Sequence, residues 1–278
     1  MSVIDRLINY STKPLPLRVL AMRRLLQRLP VGSYAARLQA NAVDRPWYGR
    51  CLYNAAVEAK ALGYKAITAV EMGVAGGNGL VCLCGHKEEI RKSLGMEVVL
   101  VGFDTSVGLP ATADARDLLY CWPAGSFEMD RAALEKRIAG RAELVIGDVA
   151  QTVRTWNPRP DAPLGAVMFD LDFYSSTIAA LELLTRENVL PRVWCYLDDI
   201  SGYAENAYTD GIGVRAAVGD FNAAPERSTW RDHIMRAHVF KGQVPEDWHE
   251  QIYVYHRMGH ARYNTCLSQA KHQLSLNE

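Results

Sequence analysis

The 278-residue sequence contains no run approaching the ~20 consecutive apolar residues that a membrane span requires. It has no surplus of either charge, since 31 Lys and Arg stand against 31 Asp and Glu. That balance argues against nucleic acid as the main partner, because phosphate binding draws on a basic excess. Cysteine is sparse, and the six residues follow neither a CxxC nor a zinc spacing. Cysteines such as Cys82, Cys84 and Cys195 sit in apolar runs and read as reduced core thiols of a cytoplasmic protein. The first residues are charged from Asp5 and Arg6 onward and lack an apolar core before a small-residue cleavage site, so no signal peptide is expected. There is no G-x-S-x-G elbow, no H-E-x-x-H and no G-K-[ST]. What remains is ordinary globular composition, 49% hydrophobic, in a chain long enough to bury a substantial core.

The neutral total hides an asymmetry. Residues 1–60 carry ten basic and three acidic side chains, a net +7, so the remainder is −7. Within this segment Leu20, Leu25 and Leu29 recur at helical spacing among Arg18, Arg23, Arg24 and Arg28. We read residues 1–63 as a helical extension that makes subunit or lid contacts, in a homo-oligomer, and not as a membrane anchor. Trp47–Leu62 reads as its second helix, closed by Gly63.

From residue 64 to 278 short β-rich runs alternate with helical stretches. The expected strands are Ala66–Met72, Val98–Asp104, Ala142–Ile146, Ala166–Leu171, Val193–Leu197, Ile234–Phe240 and Gln251–His256. Leu80–Ser93, Arg131–Ile138, Val149–Trp156, Ser176–Asn188 and Gly213–Phe221 read as helices. Near-continuous apolar strands between helices predict an α/β fold with a mostly parallel sheet covered on both faces. The last two strands are too close for a crossover and should form a hairpin, with the final strand antiparallel. Residues 110–130 exceed a minimal connection and read as a lid.

Such sheets bind ligands at the carboxyl ends of their strands. The first strand runs into Glu71-Met72-Gly73-Val74-Ala75-Gly76-Gly77-Asn78-Gly79, spaced E-x-G-x-x-x-G-x-G. Here glycine lets the turn adopt positive φ, and a side chain at Gly73, Gly77 or Gly79 is expected to fill space that a ligand needs. Asp104 closes the second strand, where an acid can accept bonds from ribose hydroxyls, and Gly147-Asp148 closes the third, with Asp148 a candidate for an adenine amino group. The fourth strand ends in Phe169-Asp170-Leu171-Asp172-Phe173-Tyr174 and the fifth in Leu197-Asp198-Asp199-Ile200. Two strand ends thus gather four carboxylates. Strand alternation would put Asp170 and Asp172 on one side if the strand continued that far. Four crowded acids repel one another unless a cation neutralises them, and an oxygen-only donor set suits Mg²⁺ or Ca²⁺.

The glycine loop resembles the cofactor loop of class I S-adenosylmethionine-dependent methyltransferases. Gly102-Phe103-Asp104-Thr105-Ser106-Val107-Gly108-Leu109-Pro110 resembles the G-F-D-S-x-x-G-L-P signature of the macrocin O-methyltransferase family, and the likeness spans about residues 64–224. It implies a class I methyltransferase Rossmann-like fold with a seven-stranded, mostly parallel sheet. It also implies S-adenosylmethionine over Glu71, Gly73, Gly77 and Gly79, Mg²⁺ on Asp170, Asp198 and Asp199, and Asp172 as the general base. Family members methylate sugar hydroxyls of antibiotics, so the implied partner is a small sugar-containing molecule. This chain has Leu190-Pro191-Arg192 where members have a Gly-Gly turn, and Ile200 where they commonly have an aromatic. Trp122, Tyr174, Tyr203 and Tyr208 are candidate stacking faces. His233, His238, His249, His256 and His260 lack ligand spacing and read as non-ligands. Two other readings stay open: a catechol-type O-methyltransferase, and a nucleotide-binding oxidoreductase or non-catalytic module.

Overall fold

The computed structural model describes residues 17–29, 31–202, 207–227, 232–240, 243 and 245–268. Seven strands form one sheet: β1 (Ala66–Met72), β2 (Glu97–Asp104), β3 (Glu143–Ile146), β4 (Leu164–Phe169), β5 (Val189–Leu197), β6 (Asp232–Arg236) and β7 (Ile252–Arg257). Their spatial order is β3-β2-β1-β4-β5-β7-β6. β1 through β5 run parallel, and β7 is antiparallel to both β5 and β6. The strand order reverses between β1 and β4, which opens a crevice at their carboxyl ends.

Alternation along the strands fills two cores. β1 sends Ile67 and Ala69 to one and Val70 and Met72 to the other. The first core also takes side chains from α2 (Tyr34–Gln39), α3 (Pro46–Ala61), α4 (Asn78–Leu94) and α5 (Arg131–Ile138). The second takes them from α6 (Val149–Thr155), α7 (Tyr174–Leu181) and α8 (Gly213–Ala223). Pro46 at the start of α3 suits a first helical turn, where its missing N–H costs nothing. Tyr48, Leu52, Ala55, Ala56 and Ala59 of α3 are fully buried, so this helix of the N-terminal segment lies on the sheet. Truncating Leu52 to alanine there would cost about 2–5 kcal/mol.

Several boundaries differ from the sequence reading. β5 begins at Val189 rather than Val193, and Pro191 lies inside it. It is tolerated because the β4–β5 register breaks between Leu164↔Val189 and Ala166↔Trp194, where the ladder needs no N–H from Pro191. The expected helix 176–188 instead starts at Tyr174, ends at Leu181 and tightens into a 3₁₀ turn at Glu182–Thr185, whose Leu183 and Leu184 are buried. β6 stops at Arg236. Within residues 110–130, Asp117 is fully buried and accepts bonds from Thr112 Oγ1 (2.6 Å), Ser175 N–H (2.7 Å) and Ser175 Oγ (2.7 Å). That anchors the segment to the start of α7.

α1 (Leu17–Arg28) precedes these layers. Arg23 donates to the Ala40 carbonyl (2.9 Å) and to Glu246 (2.5 Å), while Met22, Leu25 and Leu29 are exposed. No helix among the described residues is long and apolar enough to cross a membrane.

Candidate active site

A cavity of about 1080 Å³ opens over the carboxyl ends of β1, β2, β4 and β5. Short backbone bonds fasten the loops that leave these strands. Gly73 N–H donates to the Phe103 carbonyl, Gly147 N–H to Asp104 and Asp170 N–H to Met72, each at 2.9 Å. The β1–α4 turn has Gly73 and Gly77 at φ of 83° and 78°, conformations that L side chains rarely adopt. A Cβ at Gly73 would lie 1.7 Å from the Asp170 carbonyl oxygen, at Gly77 2.2 Å from Leu134 Cδ1, and at Gly79 1.7 Å from Glu71 Oε1. Each glycine therefore makes room for neighbouring protein atoms. Gly76 is the exception, since a Cβ there meets nothing within 4 Å.

All six residues assigned to the cofactor line this cavity. Asp104 Oδ2 accepts from Val74 N–H (2.9 Å) and Ala75 N–H (2.8 Å), and Oδ1 from Ser106 N–H (2.6 Å), so this acid also shapes the glycine turn. Asp148 caps α6 through Ala150 N–H at 2.8 Å. Glu71 is buried beneath Gly79. Its Oε1 accepts from Tyr48 Oη (2.9 Å), and its Oε2 is buried without a partner among the described residues. Burial pushes this carboxyl up to about 8, against the lowering effects of the Tyr48 bond and the Arg45 charge.

Asp170, Asp198 and Asp199 each offer a carboxylate oxygen within 4.8 Å of the others. Asp172 lies outside that triad. β4 ends at Phe169, so strand alternation does not govern Asp172; it sits in a turn at φ 58°, followed by a Phe173 N–H to Leu171 carbonyl bond of 2.5 Å. Asp residues enter this left-handed region more readily than most. Burial, then the charges of Asp198 and Asp199, hold the Asp170 carboxyl well above the usual carboxylate range. Burial, then Asp172 and Asp198, does the same to Asp199. Asp172 is pushed up to about 6 by burial and then by Asp198. Asp199 Oδ2 is buried with no protein partner among the described residues. Three converging, mutually repelling carboxylates with an orphaned oxygen fit a hard divalent cation.

The aromatic wall was not anticipated. Trp47 from α3 stacks on Tyr196 of β5 (centroids 6.1 Å apart, 23° between planes) and packs against Trp248 (6.2 Å). The Tyr196 hydroxyl donates to Asp198 Oδ1, and the Gln251 side-chain amide donates to the Asp198 carbonyl. Burial and the Asp198 charge raise the Tyr196 hydroxyl far above its ordinary value, which keeps it a donor. Trp47, Tyr196, Trp248 and Gln251 all line the cavity. Of the stacking candidates, Trp122 lines it too. Tyr174 instead lies under the Arg116 guanidinium (3.6 Å) and bonds Asp220 (2.8 Å). Tyr208 accepts the Val214 N–H (2.8 Å) at the start of α8, and Tyr203 lies outside the described residues. None of His233, His238, His249, His256 and His260 lines the cavity.

Among solved structures the chain is similar to the O-methyltransferase NovP, with 15% identity and a TM-score of 0.51 over 75% of this chain and 79% of that one. It is also similar to the calicheamicin methyltransferase CalS11, with 18% identity and a TM-score of 0.51 over 91% of this chain and 90% of that one. No protein-family model matches the sequence, and no curated protein matches it. The likeness establishes the fold: this is the α/β fold of class I methyltransferases, with its seven-stranded mixed sheet.

Proposed function

We propose that the chain is an S-adenosylmethionine- and Mg²⁺-dependent O-methyltransferase of the macrocin type, acting on a hydroxyl of a sugar or glycosylated metabolite. The observation that carries this reading is the carboxylate triad of Asp170, Asp198 and Asp199, with Asp172 beside it, in a cavity that also takes in the glycine turn. A nucleotide-binding oxidoreductase would leave those four acids without a task. The S-adenosylmethionine sulfonium would supply an already activated methyl group. Mg²⁺, held by the triad, would supply Lewis-acid polarisation of an acceptor hydroxyl.

The chain's own residues do the rest. Asp104 would take the ribose diol, Asp148 the adenine edge and Glu71 the cofactor's amino-acid end, and all three line the cavity. Trp47, Tyr196 and Trp248 offer apolar faces to an acceptor ring and exclude water from one side of the reacting atoms. Alignment of two bound partners can contribute ~7–11 kcal/mol to lowering the barrier. The Asp172 carboxyl, raised by burial and then by Asp198, would take the acceptor proton at Oδ. Such a base contributes typically ~10²–10⁴-fold.

The aromatic wall would serve an aromatic diol equally well, so the catechol-type reading is kept beside the first. Transfer of a labelled methyl group from S-adenosylmethionine to a panel of glycosides and catechols, with Mg²⁺ or with EDTA, tests both. Label on a glycoside, lost in EDTA, supports the first reading. Label only on catechols favours the second. NADPH binding without S-adenosylmethionine binding would contradict both.

A further inference from the structure

Arg45 has no part in the sequence motifs, yet it is the one cationic side chain among the described residues lining the cavity. It stands at the N-cap of α3 at φ 36°, a left-handed conformation costly for a residue with a long side chain, and no side chain caps the helix behind it. Asp44 Oδ1 accepts its backbone N–H (3.1 Å) and Pro46 follows, so its backbone is held on both sides. The guanidinium lies over the face of Tyr48, 5.4 Å from the ring centroid. It makes no ion pair among the described residues. Tyr48 is fully buried, and its hydroxyl holds Glu71 at 2.9 Å. One rigid ring thus carries a cation on its face and a buried carboxyl group at its tip. The Glu71 side chain is 2% exposed, lines the cavity, and has an oxygen with no partner among the described residues.

Among the described residues, the buried Glu71 carboxyl has an oxygen without a partner, and across the Tyr48 ring the half-buried Arg45 guanidinium has no ion pair. An α-amino acid group answers both, with its ammonium on the acid and its carboxylate on the arginine. The N-terminal end of α3 adds a partial positive charge at the carboxylate end. We propose that Arg45, the N-terminus of α3 and Glu71 form a zwitterion subsite that grips the methionine tail of the cofactor, with Arg45 on its carboxylate. This rests on the S-adenosylmethionine reading. It makes the N-terminal segment part of the cofactor site.

The test is a calorimetric titration of S-adenosylhomocysteine, which has the tail, and 5′-methylthioadenosine, which lacks it, into the full chain. Arg45→Gln should weaken S-adenosylhomocysteine about 10- to 100-fold, the effect of losing a charge-assisted pair, and leave methylthioadenosine within about twofold. Arg45→Lys, which keeps the charge, should recover part of the loss. Unliganded melting temperatures of the variants should match the wild type, which separates a binding effect from misfolding. Equal weakening of both ligands, or of neither, would overturn the subsite while sparing the cofactor reading. Wild-type protein that binds neither ligand would overturn both.

Discussion

The glycine-turn side of the cavity is built from turns at neighbouring strand ends, whereas the aromatic side is gathered from Trp47, Tyr196 and Trp248, far apart in the chain. On the first side, strand pairing alone brings Gly73, Asp104, Gly147 and Asp170 together, because each loop is tied to the strand next to it. On the second, the positions depend on α3 lying across the sheet and on the β6–β7 connection folding back to it. One region is therefore fixed by local chemistry and the other by tertiary packing. The four acids sit where the two regions meet.

The largest effect should come from the meeting point. Asp172→Asn preserves shape and suits the left-handed backbone at φ 58°. It should lower kcat about 10²–10⁴-fold while S-adenosylhomocysteine and Mg²⁺ affinities stay at wild-type values, measured by calorimetry. Weakened metal binding would make Asp172 a ligand rather than the base.

The scaffold under the glycine-turn side carries a pH dependence. His86 of α4 is buried between Tyr34 Oη (2.9 Å to Nδ1) and Cys82 Sγ (3.4 Å to Nε2), and burial pushes it down to about 4. Its ordinary value is near 6.5, so between these two pH values the unfolded chain binds a proton that the folded chain refuses. Stability should be full above about pH 6.5 and fall as the pH drops toward about 4, by on the order of 3 kcal/mol. Urea denaturation across this range checks the slope, and His86→Gln should flatten it.

Two glycine variants sharpen the contrast between loop geometry and ligand space. Gly77→Val meets Leu134 and an unfavourable φ of 78°, so it should lower stability by about 1–3 kcal/mol. Gly76→Val has open space around its Cβ and should melt like the wild type while losing roughly tenfold in S-adenosylhomocysteine affinity, worth about 1.4 kcal/mol. Wild-type affinity in Gly76→Val would place the cofactor elsewhere. The smallest effect belongs to the aromatic side. Trp47 Nε1 is buried without a partner among the described residues, and Trp47→Phe keeps a ring against Tyr196 but removes that donor. The acceptor KM should rise about 2- to 10-fold with cofactor affinity unchanged.

The same contrast explains what was legible in the sequence. Strands β1, β2 and β3 and the acids that close them could be read directly, because apolar runs and the turns after them are local signals. The hairpin of β6 and β7 followed from the short connection. The early start of β5 could not be read, since Pro191 inside a strand is tolerated only through a register break set by β4. Strand alternation does not reach Asp172, because β4 stops at Phe169. Arg45, Trp47, Trp248 and Gln251 belong to no motif. The one local signal was Pro46 after Arg45, which marks a helix start but not where that start points.

The division of labour among the four acids is tested most directly by titrating Mg²⁺ into the S-adenosylhomocysteine-loaded chain by calorimetry, in wild type, Asp198→Asn and Asp172→Asn. The account predicts one Mg²⁺ site in the wild type, marked weakening in Asp198→Asn and wild-type affinity in Asp172→Asn. Equal weakening in both variants would mean four equivalent ligands, and no Mg²⁺ binding to the wild type would contradict the metal-dependent mechanism outright.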